Sequence, residues 1–287
     1  MIRRLKFGLA LGRLHPSFHL QAVLLAEEIG FESVWLPEHL VFPVDMSGSP
    51  LIGKTHPPVP PSTPVFDALA YLAYLAGRTE RLRLGTHVYL LGLRHPFVAA
   101  RAIQTLDFVS GGRAEIGIGA GWLESECRAA GLDFRTRGRR LDEALAVCKR
   151  LWSEEVVEHR GEFFSFEPVM FEPKPIQKPW PRLHVGGESV AALRRAARSA
   201  DGWIGLDHTL DSVSAPLARL RELRGAEAPP LEISVGGSIE TAEDVRRWED
   251  AGVDRLIVAP WRRSSEVLDG LRRFADVAGL RSGPRSV

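Results

Sequence analysis

The chain has 287 residues, of which 45% are hydrophobic and 25% are charged, and its formal net charge is +1. These values are ordinary for a globular protein, and a nearly neutral chain gives no general reason to expect nucleic acid or a membrane surface as a partner. No apolar run is long enough to span a bilayer, and the residues after Met1 lack the apolar core of a signal peptide, so we expect a cytoplasmic protein. The two cysteines, Cys127 and Cys148, have no metal-ligand spacing and are expected to be free thiols.

Strand-like and helix-like runs alternate through the first half of the chain. Short apolar runs predict strands at Leu5–Leu11, Ser33–Pro37, Arg83–Leu91 and Ala114–Ile118. Apolar residues at helical spacing predict helices at Phe18–Ile29, Val65–Ala76, Phe97–Val109, Glu124–Ala130 and Leu141–Trp152. The stretch from Val41 to Pro64 has no periodicity and several prolines, which is typical of a lid, a binding loop or a disordered segment.

The alternation breaks at about residues 153–181 and then resumes. Within this insertion, Arg160-Gly161 predicts a turn between two short strands, VVEH and FFSF, and prolines keep the remainder extended. Beyond it, strands are predicted at Leu183–Gly187, Trp203–Leu206, Glu232–Gly236 and Arg255–Pro260. Helices are predicted at Ser189–Ser199, Val213–Arg224, Ala242–Ala251 and Glu266–Ala278.

Eight strands, each followed by a helix, indicate an α/β fold. Strands that are apolar on both faces and joined by helices pair in parallel through right-handed crossovers, and eight such units close into a (β/α)8 TIM barrel of ~250 residues. The alternative fold is an open doubly wound sheet, which is expected to have the motif GxGxxG after its first strand. This chain has GRLHPS there. We therefore predict one barrel domain over residues 1–287, with an insertion after the fourth unit.

The residues at the carboxyl ends of the predicted strands are rich in glycine and aromatic side chains and poor in acids and bases. Barrel enzymes place their chemistry at these ends. The chain has no GxSxG, no HExxH or HxH metal motif, and no pair of carboxylates at a glycosidase-like disposition. Residues of this kind are typical of a protein that binds an organic cofactor, because the cofactor then supplies the reactive group. We predict no metal ion.

Two histidines at strand ends are candidates for catalysis. His39 follows Glu38 at the end of the second predicted strand, and we predict that both are catalytic residues. An imidazole in this place can donate a proton or hydrogen-bond a flavin-like ring, or it can merely anchor the proline-rich loop that follows. His87, inside the third predicted strand, is equally a candidate for filling the barrel interior.

Two glycine-containing turns are rival sites for a phosphate group. Gly186-Gly187-Glu188-Ser189 opens a predicted helix, whose backbone amides and dipole can hold an anion. Gly236-Gly237-Ser238 follows the seventh barrel strand, where barrel enzymes often bind phosphate. The spacing of these residues in the sequence does not decide which of the two turns binds phosphate. The arginines near Arg137 can meet an anionic tail or form a solvated helix start.

Six segments, in their order and spacing, resemble one protein family. They are SVWLPEH, LGTHVYLLGLRHP, LDFVSGGRAEIGIGAGWL, RGRRLDEAL, FEPKPIQKPWPRLHVGG and AARSADGW. Together they resemble the luciferase-like monooxygenase family, in particular its branch that uses the deazaflavin coenzyme F420. The resemblance covers nearly the whole chain. It implies a (β/α)8 barrel with an insertion after strand four and a flavin or deazaflavin lying across the barrel mouth.

The resemblance also implies roles for particular residues. A bulge at the end of strand three, often with a non-proline cis peptide, supports the central ring in the family and matches Thr86, His87 and Val88. The histidine near the reactive carbon of deazaflavin members matches His39, with Glu38 where aspartate is common. Further cofactor-binding positions match Gly119, Ala120, Gly121, Trp122, Arg137, Gly186, Gly187, Glu188 and Ser189. Trp122 stands where sugar-phosphate dehydrogenases of the family carry a glutamate, so their substrate is not implied.

The activity implied by this resemblance is hydride transfer between F420 and a small, largely apolar organic substrate, with His39 orienting the substrate or shuttling a proton. One alternative is a monooxygenase in which reduced FMN activates dioxygen and a separate reductase supplies the reduced cofactor. Another is a flavin-binding barrel without turnover, since family membership does not guarantee chemistry. The resemblance also implies a homodimer.

Overall fold

The computed structural model describes residues 4–46 and 59–281 of the chain. The strands are β1 (Lys6–Ala10), β2 (Ser33–Leu36), β3 (Arg83–Tyr89), β4 (Ala114–Ile118), β5 (Val156–Arg160), β6 (Ser165–Met170), β7 (Arg182–Gly186), β8 (Gly202–Asp207), β9 (Glu232–Gly236) and β10 (Arg255–Val258). The α-helices are α1 (His19–Ile29), α2 (Ala68–Ala76), α3 (Pro96–Val109), α4 (Glu124–Ala129), α5 (Arg137–Ser153), α6 (Val190–Ser199), α7 (Leu210–Arg224), α8 (Ala242–Ala251) and α9 (Val267–Ala278).

Eight parallel strands close into a barrel in the order β1-β10-β9-β8-β7-β4-β3-β2. The ring is closed because β1 pairs with both β2 and β10. Each of the eight strands is followed by at least one helix before the next barrel strand begins. The predicted (β/α)8 TIM barrel is confirmed, and the carboxyl ends of β3 and β4 are neighbours at its mouth.

The two faces of the barrel strands carry different side chains. Alternate residues, such as Leu9 and Val34, are apolar and fully buried in the main core. A second, smaller cluster joins Trp35, Ile204 and Ile257, which come from β2, β8 and β10 and therefore meet inside the barrel. The barrel is filled with side chains rather than hollow, so a ligand has to bind on the rim.

The insertion between α5 and β7 contains a two-stranded antiparallel sheet, β5 with β6. The predicted hairpin is therefore present, but its second strand was predicted from Phe163 and begins at Ser165. The backbone N–H groups of Phe163 and Phe164 donate instead to the Glu143 carboxylate of α5, at 3.0 and 2.9 Å. These bonds hold the turn of the hairpin against α5.

Three helices begin three or more residues from their predicted starts, and capping explains each. α7 begins at Leu210 instead of Val213 because the Thr209 side chain caps it. α5 begins at Arg137, four residues before its predicted start, because the Asp133 side chain caps a 3-10 turn that runs directly into the helix. α2 begins at Ala68, three residues after its predicted start, because Asp67 is the residue whose side chain caps it.

The predicted lid or binding loop, Val41 to Pro64, lies partly outside the described residues, which omit 47–58. Its two ends, 41–46 and 59–64, form neither helix nor strand. No helix in the described part of the chain combines the length and the apolarity that crossing a membrane requires. Cys127 and Cys148 are buried free thiols, as predicted.

Candidate active site

The third strand ends in a bulge at the barrel mouth. The register of β3 against β4 shifts between Thr86 and Tyr89, and the peptide bond between His87 and Val88 is cis. The Thr86 hydroxyl donates to the carbonyl oxygen of Gly117 on β4 at 2.7 Å, which ties the bulge to the neighbouring strand. The bulge and the cis bond implied for Thr86, His87 and Val88 are therefore both present.

Val88 lies between two glycines at the ends of neighbouring strands. A Cβ atom at Gly119 would come within 2.5 Å of Val88 Cγ2, and one at Gly186 within 2.7 Å of Cγ1. No real side chain tolerates such contacts, so Val88 can lie here only because both positions are glycine. Below, Val88 packs on the cluster that contains Trp35 and Ile204. We call Val88, Gly119 and Gly186 the Val88 platform; three predicted cofactor residues meet in it.

His87 is half-buried at the end of β3, beside the side chains that fill the barrel. Its ring meets that of Trp35 edge-on, with centroids 6.5 Å apart. Burial lowers the pKa of His87 to about 4, although the nearby Asp207 carboxylate acts in the opposite direction. The imidazole is therefore neutral near pH 7. A half-buried, neutral ring at this place can fill the barrel mouth or contact a bound cofactor, so both interpretations of His87 stay predictions.

His39 is held by a buried carboxylate from another unit of the barrel. Its Nδ1 lies 2.9 Å from Oε2 of Glu126 in α4, and the Leu40 backbone N–H donates to Oε1 at 2.6 Å. Glu126 is 1% exposed. Because the carboxylate accepts, Nδ1 carries a hydrogen, and Nε2 is left for another group. Sequence reasoning missed Glu126, since an acid in the first turn of a short helix is ordinarily a solvated one.

Two aromatic side chains flank the His39 ring. The Phe42 ring centroid lies 4.5 Å from that of His39 at a tilt of 40°, and the Trp122 ring meets it edge-on at 6.0 Å. The His39 side chain keeps 17% of its surface exposed. The polar edge of the His39 ring is thus surrounded by aromatic side chains, an arrangement that suits an apolar ligand with a single polar group.

Glu38, predicted as the catalytic neighbour of His39, has a different place. Its side chain is fully buried; one oxygen accepts the Leu90 backbone N–H at 2.7 Å, and the other pairs with the Arg94 guanidinium. Burial raises the pKa of Glu38, and the charge of Arg94 and the bond from Leu90 oppose only part of that rise. Glu38 therefore anchors the end of β2 to the turn after β3 and does not reach the exposed mouth.

The turn Gly186 to Ser189 leads directly into α6. The Ser189 side chain is the cap of this helix and accepts the Ala192 N–H at 3.2 Å. The Glu188 carboxylate is already engaged by the Leu206 N–H and by His208 Nε2, at 3.2 and 3.1 Å. What this turn offers a ligand is therefore backbone amides at a helix N-terminus rather than the charge of Glu188.

The rival turn, Gly236-Gly237-Ser238, does not lead into a helix. Its neighbour α8 begins at Ala242, and the cap of that helix is Thr241. The Ser238 carbonyl accepts the Trp248 indole N–H at 3.1 Å. Of the two candidate phosphate sites, the geometry of a helix N-terminus that follows a strand end belongs to the turn before α6 alone.

Arg137 fixes the loop after β4 rather than pointing freely outward. Its Nε donates to the carbonyl oxygen of Gly121 at 3.1 Å and its Nη1 to that of Phe134 at 3.0 Å. Gly121 has φ of +82°, a conformation that favours glycine. Ala120 is half-buried and packs against the main core. The predicted set Ala120, Gly121 and Arg137 thus forms one shaped loop at the mouth.

Charged side chains fill the opposite half of the barrel interior. Glu115, His184 and Glu232 bring their oxygens and nitrogens within 4.8 Å of one another, as metal ligands do. Cationic partners surround them: Arg83 and Arg255 act on Glu115, and Glu232 pairs with Lys6, Arg182 and Arg255. A cation would be repelled here, so the cluster is a network of ion pairs that supports the barrel.

Comparisons with known proteins agree with this architecture. A family model described as luciferase-like monooxygenase matches residues 8–278. An uncharacterized protein of Mycobacterium tuberculosis is 32% identical over 260 residues, covering 88% of each chain. The FMNH2-dependent dimethylsulfone monooxygenase of Pseudomonas putida is 29% identical over 178 residues, covering 60% of this chain and 49% of that one.

Solved structures share the fold at lower identity. A monooxygenase of Streptomyces bottropensis superimposes with a TM-score of 0.76 at 24% identity, covering 96% of this chain and 98% of that one. An F420-dependent secondary alcohol dehydrogenase in complex with an F420–acetone adduct gives 0.77 at 17% identity, with the same coverage. Together with the match over residues 8–278, these findings establish that the chain belongs to the luciferase-like monooxygenase family.

Proposed function

We propose that the protein is an oxidoreductase that transfers hydride between the deazaflavin coenzyme F420 and a small, largely apolar organic substrate. The observation that carries the proposal is the Val88 platform, where a half-buried valine side chain lies at the barrel mouth between two glycines that leave room for it. Its apolar surface fits one face of a planar tricyclic ring. When bound there, the deazaflavin supplies a ring carbon that accepts or donates the hydride.

Residues at the ends of the barrel strands position the cofactor through contacts with its phosphate and with the edge of its ring. Backbone amides of Glu188 and Ser189 meet its phosphate at the N-terminus of α6, where the helix dipole favours an anion. The Gly187 N–H donates to the Ile204 carbonyl at 3.4 Å and shapes the turn. Gly119, Ala120, Gly121 and Trp122 border the ring edge. Arg137 contributes by fixing the carbonyl of Gly121 and hence the shape of that border.

His39 is the catalytic residue of this proposal. Its Nε2 hydrogen-bonds the polar group of the substrate and holds or passes a proton there, while Phe42 and Trp122 exclude water from one side. Glu126 orients the ring through Nδ1. Glu38 is assigned a positioning role, because its buried carboxylate fixes the end of β2 from which His39 projects.

A second candidate uses FMN instead of F420. The similarity to a monooxygenase whose name specifies FMNH2 favours this alternative, in which a separate reductase would provide the reduced flavin. The polar groups of the mouth accommodate either cofactor, since both carry a tricyclic ring and a phosphate. A flavin-binding barrel without turnover is the third candidate.

Spectroscopic titration separates these candidates. The purified protein is titrated with F420 and with FMN, in oxidised and reduced forms, and the perturbation of cofactor absorbance gives a Kd for each. Turnover is then measured with a panel of small alcohols, ketones and activated alkenes. We expect tighter binding of F420 and hydride transfer without dioxygen. Tighter binding of FMN with oxygen consumption would establish the second candidate, and binding without turnover the third.

We also propose a homodimer, formed through an apolar surface on α2 and α3. Phe66, Tyr71 and Tyr74 form a chain of ring contacts, with centroids 5.0 and 5.9 Å apart. Phe66 and Tyr74 are exposed, as is Val98 of the adjoining helix. An aromatic surface of this kind is typical of a subunit interface, and a second copy of the chain would cover it.

A further inference from the structure

A cavity of about 380 Å³ lies outside the barrel mouth, between the turn after β3, the start of α5 and the tip of the insertion hairpin. It shares no lining residue with the Val88 platform or with His39. The polar part of its lining consists of Arg94, His95, Arg140 and Ser165, and none of its lining residues is an aspartate or a glutamate. The cavity therefore presents cationic and donor groups without a carboxylate among them.

Arg140 is the residue that distinguishes this cavity. Its guanidinium lies over the Phe163 ring, 4.6 Å from the centroid, and 5.6 Å from that of Phe164. Its Nε is buried and has no hydrogen-bond partner among the described residues, and no carboxylate in that part of the chain lies within ion-pair distance of it. Its neighbour Arg139, by contrast, pairs with Glu162 at 2.9 Å. The charge of Arg140 is therefore not neutralised by any described residue, and its guanidinium is left to meet an acceptor in the cavity.

The other polar groups of the cavity are also arranged as donors. His95 Nδ1 accepts the Phe97 backbone N–H at 3.2 Å, so in the neutral ring the hydrogen is on Nε2. Ser165 Oγ accepts from Arg160 Nη1 at 3.3 Å, which leaves the hydroxyl hydrogen to donate. The charge of Arg94 is balanced by Glu38. The excess positive charge in the cavity is therefore that of Arg140.

We propose that this cavity binds an oxyanion, either a phosphate monoester or a carboxylate carried by a small molecule. The guanidinium of Arg140 matches the geometry of both groups, and its stacking on Phe163 fixes the plane in which it donates. His95 and Ser165, which line the same cavity, supply additional donors. The volume exceeds that of a bare phosphate, so it leaves room for a short carbon skeleton attached to the anion.

Calorimetry with inorganic phosphate and with acetate, at constant ionic strength, tests this site on the full-length protein without added cofactor. We expect saturable binding of at least one anion to one site. Arg140→Gln should weaken it at least tenfold, and His95→Gln at least threefold. The matched control is Arg139→Gln, which removes the same charge from the adjacent, exposed position and should change the Kd less than twofold. Circular dichroism and thermal unfolding verify that each variant is folded.

Each outcome decides the proposal. Preference for phosphate over acetate would identify a phosphate ester as the natural ligand, and the reverse preference a carboxylate. If the wild-type protein binds neither anion saturably, the site does not exist. Equal losses in Arg140→Gln and Arg139→Gln would show general attraction by surface charge, which also overturns the proposal. If Arg140→Gln does not fold, His95→Gln with Arg139→Gln provides the same comparison.

Discussion

His39 and Glu126 are 87 residues apart in sequence and are joined by a contact of 2.9 Å between Nδ1 and Oε2. The same carboxylate accepts the backbone N–H of Leu40, so one buried acid fixes both the imidazole and the chain beside it. This relationship gives the proposed catalytic histidine a defined tautomer and orientation. The role of His39 can therefore also be tested by substituting Glu126, which is buried.

The first prediction concerns this pair. Replacing Glu126 with Gln leaves one amide oxygen where two carboxylate oxygens accepted, so His39 and Leu40 cannot both keep their bonds. We expect kcat to fall about tenfold or more, and His39→Ala to lower it by about 10²–10⁴. The Kd of the cofactor should change less than twofold in both. Glu124→Gln, an exposed acid of the same helix, is the control. Unchanged kcat in His39→Ala would remove this residue from the mechanism.

The second prediction concerns the Val88 platform. An alanine at Gly119 would bring its Cβ to 2.5 Å from Val88 Cγ2, and Val88 would have to move. We expect Gly119→Ala to weaken cofactor binding at least tenfold, as measured by the same absorbance titration. In the control, Gly77→Ala, the nearest atom to the new Cβ is the Tyr74 carbonyl oxygen at 3.6 Å, which is ordinary contact. Equal cofactor affinity in the two variants would contradict a ring lying on Val88.

The fold could be predicted from sequence because its signals are local. Alternating apolar runs, glycines and helix caps repeat eight times along the chain, and the closed barrel follows from parallel pairing. The insertion hairpin was located by its Arg160-Gly161 turn, but the start of its second strand was not. That start depends on Glu143 of α5, which takes the N–H groups that a strand would have used.

The candidate site was only partly predictable, because some of its contacts join residues that are far apart in sequence. Val88, Gly119 and Gly186 are found through motifs that stand at strand ends. The contact between His39 and Glu126 joins the loop after β2 to α4, and no local pattern separates a buried first-turn acid from a solvated one. Glu38 was predicted to be catalytic because of its neighbour in sequence. Its burial is decided by Arg94, 56 residues away.

The third prediction concerns the proposed dimer. Tyr74→Glu puts a charge into the exposed aromatic surface of α2, where a second copy would have to desolvate it. Light scattering coupled to gel filtration should give twice the chain mass for the wild type and the single-chain mass for the variant. Met170→Glu, in the exposed strand β6, is the control and should remain a dimer. A monomeric wild type would refute the proposed interface outright.

The fourth prediction concerns Glu115 in the buried ion-pair network. Burial alone would raise the pKa of this carboxyl, but the bond to His184 and the charges of Arg255 and Arg83 outweigh it and hold the pKa below its usual range. The stabilisation is therefore present above pH ~4.5 and is lost as the pH falls below that value. Glu115→Gln should lower the free energy of unfolding by about 3–5 kcal/mol at pH 7, since Arg83 and Arg255 keep their charge.

Urea denaturation at pH 7 and at pH 3.5 measures this effect, and the difference between wild type and variant should shrink at the lower pH. Glu167 also pairs with an arginine, Arg160, but on the surface. The control Glu167→Gln should therefore change the free energy of unfolding by less than about 1 kcal/mol at either pH. A difference between wild type and Glu115→Gln that is the same at both pH values would contradict the depressed pKa.

The fifth prediction concerns His87, whose pKa is lowered to about 4 by burial. The unfolded chain, with an ordinary histidine pKa of about 6.5, binds a proton that the folded protein does not take up until pH 4. The folded state is therefore penalised progressively as the pH falls from 6.5 to 4, by at most about 3 kcal/mol, and not at all above 6.5. His87→Gln should remove this slope from a plot of unfolding free energy against pH. His15→Gln, at an exposed histidine, should leave the slope as it is in the wild type. If the wild type and His87→Gln have parallel profiles between pH 6.5 and 4, the imidazole takes up its proton in the folded barrel, and the lowered pKa is wrong.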